Sequence, residues 1–359
     1  MKIAVAMSGG VDSLRAAIAL REQGHDILGI HMRLFPSDGE EARTAHVLAA
    51  REMLLRELAS RCDIPLEFID MRSEFQSLVI SPFIDAYLRG MTPNPCVTCN
   101  PAIKFGLLLN EALKRGAQRL ATGHYAQLTP PGMTGTGRFQ IRRAKDNSKD
   151  QSYFLMGLTQ EQLALSLFPL GAQSKRQTIA WAEERGLKPL ITEDSQEICF
   201  ILHEKYTEFL ARHAGGKVLS EGPILDMAGN RIGTHKGIYS YTVGQRRGLG
   251  VPSTQPYYVV RIEPETNTIR VGGKDDLLCG EFLVTRLNWV SVEAPSEPFR
   301  CEVRIRNLHR PARAEVTPRP ANTASIRFME PQRAVTPGQA AVFYSDDLLL
   351  GGGIISPGN

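Results

Sequence analysis

The sequence predicts an α/β protein: an N-terminal domain built on a parallel sheet, then a small central, mostly β domain and a C-terminal β-barrel. Over residues 1–205, short apolar segments alternate with helical patterns, as is typical of βαβ units. From Lys217 onward the helical periodicity ends and short β-rich runs replace it. From Phe282 onward these runs recur at regular spacing, as in a small barrel. We therefore expect domains at residues 1–205, 206–275 and 276–359.

Composition predicts a soluble globular protein. Of the 359 residues, 42% are hydrophobic and 22% are charged, and no apolar run approaches the ~20 residues that span a bilayer. Glycines interrupt the apolar start too early for a signal peptide, so we expect a cytoplasmic protein with no membrane partner. The 6 cysteines are too few for a disulfide scaffold, so any special ones would be catalytic or metal-binding. A net charge of +4 permits a nucleic-acid partner without requiring one.

The first elements are a predicted strand at residues 2–7 and a predicted helix at 14–20, joined by the turn Ser8-Gly9-Gly10-Val11-Asp12-Ser13. We expect positive φ angles at Gly9 and Gly10, which would let the backbone approach a ligand closely. The free N–H groups of the turn and of the helix start would form an anion site. A Walker A loop would need a lysine, which this turn lacks. Asp12 instead offers a carboxylate suited to Mg²⁺ beside a phosphate.

The following elements continue the βαβ pattern. We predict strands at residues 26–35, 66–70, 119–125 and 139–143, and helices at 40–59, 73–89, 174–185 and opening at Lys149. Met32 lies near the end of the second strand, where open parallel sheets bind ligands, although core packing is its simpler explanation.

A proline-rich segment, Thr92-Pro93-Asn94-Pro95-Cys96-Val97-Thr98-Cys99-Asn100-Pro101, is predicted to be a stiff, extended loop. Asn100 and Pro101 would start the next helix as its N-cap and first residue. Cys99 would then precede a helix N-terminus, whose dipole predicts a depressed pKa and partial thiolate character. Cys96 and Cys99 have the C-x-x-C spacing of redox or metal sites.

The later elements include a second cysteine segment and a basic C-terminal region. Cys199 lies in an apolar run at residues 194–201 that we predict to be a strand, where an inert core cysteine is the simpler interpretation. Residues 237–241, 257–262 and 268–271 are predicted strands of the central domain. The barrel region is rich in arginine and poor in acidic residues, which favours RNA binding over the alternative of a solvated charged face. Its arginines are Arg300, Arg304, Arg306, Arg310, Arg313, Arg319, Arg327 and Arg333.

Seven segments in this order resemble one family, the tRNA-specific 2-thiouridylases of the bacterial MnmA type. They are A-M-S-G-G-V-D-S, T-P-N-P-x-x-x-C-N with I-K-F, T-G-H-Y, K-D-Q-S-Y-F-L, E-I-C-F-I, Y-T-V-G-Q-R-R-G-L-G and P-G-Q-A-A-V-F-Y. The first resembles the PP-loop of N-type ATP pyrophosphatases, which cleave ATP between the α- and β-phosphates. The resemblance implies an N-terminal PP-loop domain of the adenine-nucleotide alpha hydrolase type, a central linking domain and a tRNA-binding barrel.

The resemblance also implies roles for individual residues. Cys99 would be the catalytic cysteine of the loop, and Cys199 would carry a persulfide. From the residues alone, His124 is more simply structural. ATP would be bound by Ala6, Met7, Ser8, Gly9, Gly10, Val11, Asp12, Ser13, Met32 and Gly123, with Asp12 also holding Mg²⁺. The target base would contact Asn94, Pro95 and Cys96, and tRNA would contact His124, Lys149, Asp150, Gln151, Arg306, Asn307 and Gln339.

The implied reaction is 2-thiolation of the wobble uridine in the anticodon stem-loop of tRNAs of the lysine, glutamate and glutamine type. ATP would adenylate the uracil C2 oxygen, because AMP is a better leaving group than that oxygen. A sulfur donor, either a cysteine desulfurase or a sulfur-relay protein, would load Cys199. The terminal sulfur would attack C2, or Cys99 would first release it as hydrosulfide, leaving a Cys99–Cys199 disulfide.

Cys96 departs from many family members, which carry aspartate there and for which an acid/base role is proposed. The third cysteine opens an alternative, in which Cys96, Cys99 and Cys199 hold a 4Fe–4S cluster whose open iron binds hydrosulfide. Zinc is a weaker option because it offers no route for sulfur delivery. Two other classes stay open. A PP-loop ligase acting on a small metabolite would not need Cys99 and Cys199, and a non-enzymatic RNA-binding iron–sulfur protein would not need the S-G-G-V-D-S turn.

Overall fold

The structure is a computed structural model that describes residues 1–35, 42–187, 198–201, 204–213 and 220–358. Its strands are β1 Lys2–Ala6, β2 Asp26–Arg33, β3 Leu66–Asp70, β4 Arg119–Ala121, β5 Ala126–Thr129, β6 Gln140–Arg143, β7 Ser166–Leu167, β8 Gly222–Leu225, β9 Arg231–His235, β10 Tyr258–Glu263, β11 Thr268–Gly272, β12 Leu278–Trp289, β13 Phe299–Arg304, β14 Ala312–Arg319, β15 Thr323–Arg333, β16 Ala340–Ser345 and β17 Leu348–Ile355. Its α-helices are α1 Val11–Glu22, α2 Ala42–Arg61, α3 Arg72–Phe75, α4 Ser81–Leu88, α5 Pro95–Cys99, α6 Leu109–Lys114, α7 Pro131–Thr134, α8 Gln160–Ala164, α9 Lys175–Glu184 and α10 Tyr206–His213, with π-helices at Gln76–Ile80 and Asn100–Leu108.

The N-terminal sheet has five strands in the order β3-β2-β1-β4-β7, and all of its pairs are parallel. Its central strand β1 is apolar because both of its faces are covered, as is typical of parallel sheets. Ala4 belongs to the core on one face, and Ile3 and Val5 belong to the core on the other. The predicted α/β architecture with a parallel N-terminal sheet is confirmed.

The central domain is a four-stranded sheet in the order β10-β11-β8-β9. The last six strands form a closed barrel in the order β12-β15-β14-β13-β16-β17, and β17 returns to pair with β12. Strand β17 pairs with both β6 and β12 along the side that faces away from β16. Its start, Leu348 and Leu349, pairs with β6, and its later residues pair with β12. The β5–β6 hairpin of the N-terminal region therefore extends the barrel sheet. The predicted β-rich central domain and C-terminal barrel are confirmed.

Three predicted elements differ from the structure for identifiable reasons. Residues 199–200 form a turn rather than a strand, and residues 194–197 lie outside the described part of the chain. The buried ring of Phe200 packs edge-on against Phe75 and Phe83, with ring centroids 5.8 and 5.1 Å away. This segment therefore packs against helices and does not join a sheet. Residues 237–241 contain a 3₁₀ turn, since Gly237 has a φ of +121° that interrupts an extended chain.

The helix predicted to open at Lys149 is a short 3₁₀ helix that begins at Ser152. The side chain of Asp150 sets this start, because its carboxylate accepts hydrogen bonds from the backbone N–H and the hydroxyl of Ser152, both at 3.1 Å. A carboxylate that bonds two residues ahead favours a turn over a regular helix.

Asp150 also ties the N-terminal domain to the barrel. Its carboxylate accepts from Arg304 Nη1 at 3.0 Å, and only 4% of the Asp150 side chain and 11% of the Arg304 side chain are exposed. Ala144 N donates to the same carboxylate at 3.2 Å, and Arg304 lies over the ring of Tyr153. The structure thus places Asp150 inside an interdomain joint rather than on an open surface.

Among the described residues, no helix combines the length and the apolar character needed to cross a membrane.

We predict that Arg304→Met lowers the free energy of unfolding by about 3 kcal/mol, because it leaves the buried Asp150 carboxylate without its cation. Arg327→Met is the matched control. The Arg327 side chain is 62% exposed and pairs with Glu315, so its loss should cost less than about 1 kcal/mol. Urea unfolding of both variants measures the difference. Equal losses would show that the buried pair does not hold the two domains together.

Candidate active site

The turn after β1 forms a compact loop. Gly9 has a φ of +86°, as predicted, but Gly10 has a φ of −82° and serves as the N-cap of α1, so the positive φ predicted for Gly10 is wrong. Ser13 closes the loop, since its hydroxyl donates to Gly10 O at 2.9 Å and accepts from Ser8 N at 3.2 Å. A Cβ on Gly10 would meet only Ser8 Oγ, at 3.5 Å. The surface of Gly10 therefore stays open to a ligand.

A lysine from a distant helix completes this loop, and the sequence analysis missed it. Lys175, the first residue of α9, places Nζ 2.7 and 2.9 Å from the two carboxylate oxygens of Asp12. The hydroxyl of Tyr125 donates to the same carboxylate at 2.9 Å and accepts from the Thr178 hydroxyl at 3.0 Å. The loop that lacks a lysine of its own thus acquires one across a span of 163 residues. The capping-box motif that starts α9 at Ser174 is visible in the sequence, but the direction of its lysine is not.

Met32 and His31 border the loop from β2. Met32 is half-buried and packs against the core at the carboxyl end of its strand, as the sequence predicted. His31 Nδ1 donates to the carbonyl of Met7 at 2.7 Å and so anchors the start of the loop. Burial lowers the pKa of His31, which favours the neutral ring.

The Gly123-His124 dipeptide lies between the loop after β1 and the cysteine segment. A Cβ on Gly123 would lie 2.8 Å from Asp12 C and 2.9 Å from Ser13 N, so only glycine fits against the first turn of α1. The His124 ring lies 6.0 Å from that of Phe105, in the π-helix that continues from Cys99. Burial, and then the charge of Lys104, holds the pKa of His124 well below its usual range, so the ring is neutral.

The cysteine segment is helical, and the extended loop predicted there is wrong. Asn94 is the N-cap of α5 and its side chain accepts from Cys96 N at 3.1 Å, so the helix starts six residues before the predicted N-cap Asn100. Pro101 lacks the N–H of a regular helix, and a π-helix accommodates it there. Gln162 Nε2 donates to the carbonyl of Pro101 at 2.8 Å, which stabilises the irregular turn.

Because Cys99 lies inside a helix, its predicted depressed pKa is also wrong. The residue is 8% exposed, and burial raises the pKa of its thiol, against the lowering effect of the nearby Lys104 charge. Burial, then the Cys96 and Cys99 thiols, raises the pKa of Cys199 to about 12, with Lys104 again acting in the opposite direction. All three thiols therefore lie near one another and near one lysine, and they are protonated at neutral pH.

We call the region around Cys96, Cys99 and Cys199 the cleft. Cys96 and Cys199 both have solvent-exposed side-chain surface. The protein around each thiol nevertheless removes enough water to raise its pKa. Each of the two thiols therefore combines accessible surface with surroundings that disfavour its charged form. The structure brings Cys96, Cys99 and Cys199 together in the cleft. The residues alone favoured an inert core position for Cys199, which differs from this exposed position beside two other thiols.

We tested whether this set fits a metal. Among the residues that the structure describes, no three His, Cys, Asp or Glu side chains are arranged to hold a metal ion, and each of the three cysteines is a free thiol. Asp12 fits Mg²⁺ in a different way, because this ion commonly takes one carboxylate and completes its shell with phosphate oxygens and water.

The residues predicted to touch tRNA are dispersed, and several have partners within the protein. Gln151 Oε1 accepts from Tyr125 N at 3.1 Å, and Lys149 is half-buried in a turn beside it. Arg306 is exposed, and the carbonyl of its neighbour Asn307 accepts from Arg304. Gln339 Nε2 donates to the carbonyl of Thr92 at 2.8 Å. Pro95 is half-buried beside the exposed Cys96.

Comparison with known proteins identifies the chain's relatives. Residues 1–203 match a family described as the tRNA methyl transferase HUP domain, residues 207–273 its PRC-barrel domain, and residues 279–355 an aminomethyltransferase β-barrel domain. The tRNA-specific 2-thiouridylase MnmA of Geobacter metallireducens is 44% identical over 360 residues, covering 99% of this chain and 96% of the relative. That of Gloeothece citriformis is 43% identical over 356 residues, covering 99% of each.

A solved structure shows a more distant likeness. The U34-tRNA thiolase NcsA from Methanococcus maripaludis, solved with its 4Fe–4S cluster, is 16% identical and covers 59% of this chain and 63% of its own, with a TM-score of 0.33. At this level the likeness carries no inference about the cysteines of this chain.

We predict that alkylation of Cys99 by iodoacetamide increases with pH without levelling off below pH ~9, because a raised pKa keeps the thiolate scarce at neutral pH. Lys104→Met should slow alkylation further at any fixed pH, since loss of the positive charge raises the thiol pKa again. Lys114→Met, which changes an exposed lysine farther along the same helical segment, is the control. Mass spectrometry of the labelled peptide gives the rates. A plateau near pH 7 would contradict the raised pKa.

Proposed function

This chain belongs to the tRNA-specific 2-thiouridylase family, and from that premise we propose that it uses ATP to replace the C2 oxygen of the wobble uridine of tRNA with sulfur. One observation carries the proposal. Gly123 and His124 lie between the loop formed by residues 8–13 and the three thiols of the cleft, which supports a reaction that uses both. A ligase acting on a small metabolite would need the first half of this site but not the second, and a non-enzymatic RNA-binding protein would not need the first.

For the adenylation step, the loop formed by residues 6–13 binds the ATP phosphates through the backbone N–H groups around Gly9 and Gly10. Lys175 supplies the positive charge that a Walker A loop would take from its own lysine. Mg²⁺ beside Asp12 would neutralise charge on the phosphates. Because Lys175 now occupies both oxygens of Asp12, we propose that it turns toward the phosphates when ATP binds. The uracil C2 oxygen then attacks the α-phosphorus and pyrophosphate leaves.

For the sulfur step, a cysteine desulfurase or a sulfur-relay protein loads Cys199 as a persulfide. The terminal sulfur attacks C2 of the adenylated base, and AMP leaves with the former C2 oxygen. The Cys99 thiolate attacks the inner sulfur of Cys199, which breaks the S–S bond of the persulfide and leaves a Cys99–Cys199 disulfide. A cellular dithiol must then reduce this disulfide. The neighbouring charge of Lys104 supports the proposal because it favours the thiolate that Cys99 needs.

We propose the persulfide route in preference to a 4Fe–4S cluster held by Cys96, Cys99 and Cys199, which is the alternative route for the sulfur. The persulfide route needs only two thiols that can meet, and Cys99 and Cys199 influence each other electrostatically in the cleft. Iron analysis of anaerobically purified protein tests this choice. About four irons per chain, lost in Cys96→Ala, would replace the persulfide route with the cluster route.

For recognition of tRNA, we propose that the anticodon stem-loop lies over the cleft and the arginine-bearing face of the barrel. His124, Lys149, Gln151, Arg306 and Asn307 are the candidate contacts. The target base must leave its stack to reach the cleft beside Asn94, Pro95 and Cys96.

We predict that Gly10→Ala leaves the fold intact but weakens ATP binding about tenfold or more. The new methyl group meets only Ser8 Oγ, at an ordinary contact distance, and the φ of −82° suits alanine, but the methyl group would occupy the space of the phosphates. Gly132→Ala, where a Cβ meets nothing within 4 Å, is the matched control. Calorimetric titration with ATP and Mg²⁺ measures the affinity. Unchanged ATP affinity in Gly10→Ala would refute the phosphate loop.

We predict that Cys199→Ser still adenylates tRNA but no longer thiolates it, because serine cannot carry a persulfide. Cys62→Ser, which changes a buried thiol in the core around α1 and β1, is the control and should keep both activities. Incubation with ATP, unmodified tRNA and a sulfur source, followed by mass spectrometry of nucleosides, measures thiolation, and release of pyrophosphate measures adenylation. Thiolation by Cys199→Ser would exclude the persulfide role, and its absence in the wild type would exclude the proposed function.

A further inference from the structure

Thr92, in the N-terminal domain, is bonded to both of the other domains. The barrel contacts its backbone twice: Thr92 N donates to Pro337 O at 2.9 Å, and its carbonyl accepts from Gln339 Nε2 at 2.8 Å. The central domain contacts its side chain, since Thr92 Oγ1 donates to Thr242 Oγ1 at 3.1 Å. Every polar group of Thr92 is therefore bonded to a domain other than its own.

The two segments that contact Thr92 are each anchored within their own domain. The barrel turn that carries Pro337 and Gln339 is tied to β17, because Gly338 N donates to Ile355 O at 2.9 Å and Ile355 N donates to Gln339 O at 2.8 Å. The loop that carries Thr242 is tied to β10 through Gly244 N, which donates to Val259 O at 2.8 Å. A displacement of either domain would therefore displace Thr92.

The barrel turn fits closely against Thr92. Gly338 has a φ of +89°, and a Cβ there would lie 3.1 Å from both the backbone N and the backbone C of Thr92. Glycine is needed both for the left-handed φ and for this close approach. The contact is thus a built joint with little free space.

A stiff connection leads from Thr92 to the thiols. Pro93 and Pro95 each fix their own φ and restrict the residue before them, which leaves little freedom between Thr92 and the helix start. Asn94, between the two prolines, caps α5, and the first turn of that helix exposes Cys96 while its last residue is Cys99. The position of Thr92 therefore determines where the helix places both thiols.

We propose that Thr92 is the joint through which the barrel and the central domain position the thiol-bearing helix α5, so that Gln339 and Thr242 are positioning residues for this helix. The effect of this positioning on sulfur transfer rests on the proposed function, whereas the coupling of the two domains to α5 does not. The proposal gives Gln339 a role through its bond to Thr92, in place of the tRNA contact that the family resemblance implies.

The test compares two variants in different domains that meet at the same residue. Gln339→Leu removes the donor to Thr92 O, and Thr242→Val removes the hydroxyl partner of Thr92 Oγ1. Gln332→Leu, elsewhere in the barrel, and Thr242→Ser, which keeps the hydroxyl, are the controls. Hydrogen exchange of residues 94–99 and alkylation of Cys96 are measured in the RNA-free protein, so neither readout depends on thiolation.

We expect both variants to speed hydrogen exchange at residues 94–99 by about twofold to tenfold, the effect of one lost hydrogen bond, and to change the alkylation rate of Cys96. The two controls should leave both readouts unchanged. In thiolation assays, Gln339→Leu should lower kcat and leave the KM for tRNA within about twofold.

Three results would overturn the proposal. Exchange that changes only in the barrel or only in the central domain would mean that each residue merely stabilises its own domain. Unchanged exchange at residues 94–99 in both variants would remove the coupling. A higher KM with unchanged kcat in Gln339→Leu would make Gln339 a direct contact for RNA. If the exchange result holds but the wild type fails to thiolate tRNA, the positioning role stands and only the proposed function fails.

Discussion

The close approach of Gly123 to the first turn of α1 is the constraint on which the rest of the site depends. The backbone after β4 lies so near Asp12 and Ser13 that a Cβ would reach 2.8 Å from the Asp12 carbonyl carbon. This contact holds the next residue, His124, beside the helix that follows Cys99. The loop after β1 and a set of thiols from distant parts of the sequence therefore share one edge of the parallel sheet. That is where open α/β sheets bind ligands, because the strand ends and helix starts converge there.

The domains of the chain are less separate in space than in sequence. The β5–β6 hairpin adds to the barrel sheet, the buried Asp150–Arg304 pair joins the same two domains, and Thr92 is bonded by the barrel and the central domain. Several independent joints of this kind oppose relative motion, since each would have to break for the domains to move apart. An RNA that binds the barrel would thus engage a surface whose position relative to the thiols is already set.

Burial and one positive charge have opposite effects on the pKa values of the three thiols. Burial raises the pKa of Cys96, Cys99 and Cys199, while Lys104 acts on all three in the opposite direction. The net result is that the protonated thiol dominates at rest, which protects the cysteines from oxidation because the thiolate is the reactive form. For the proposed sulfur transfer Cys99 must lose its proton, and the charge of Lys104 favours that loss.

The sequence by itself determined the features that short-range chemistry controls. The strand–turn–helix around Gly9, the order of a parallel sheet followed by a β domain and a barrel, and the C-x-x-C pair all follow from local residue patterns. Only the tertiary structure decided which of two equivalent Asn-Pro signals starts the cysteine helix. Asn94 and Asn100 look alike in sequence, but the amide of Gln162 supports a π-helix through Pro101, so the helix begins at Asn94. Tertiary structure alone also brought Lys175 to Asp12 and Cys199 to Cys96 and Cys99. Contacts between residues far apart in the chain depend on how elements pack, and no local pattern records that packing.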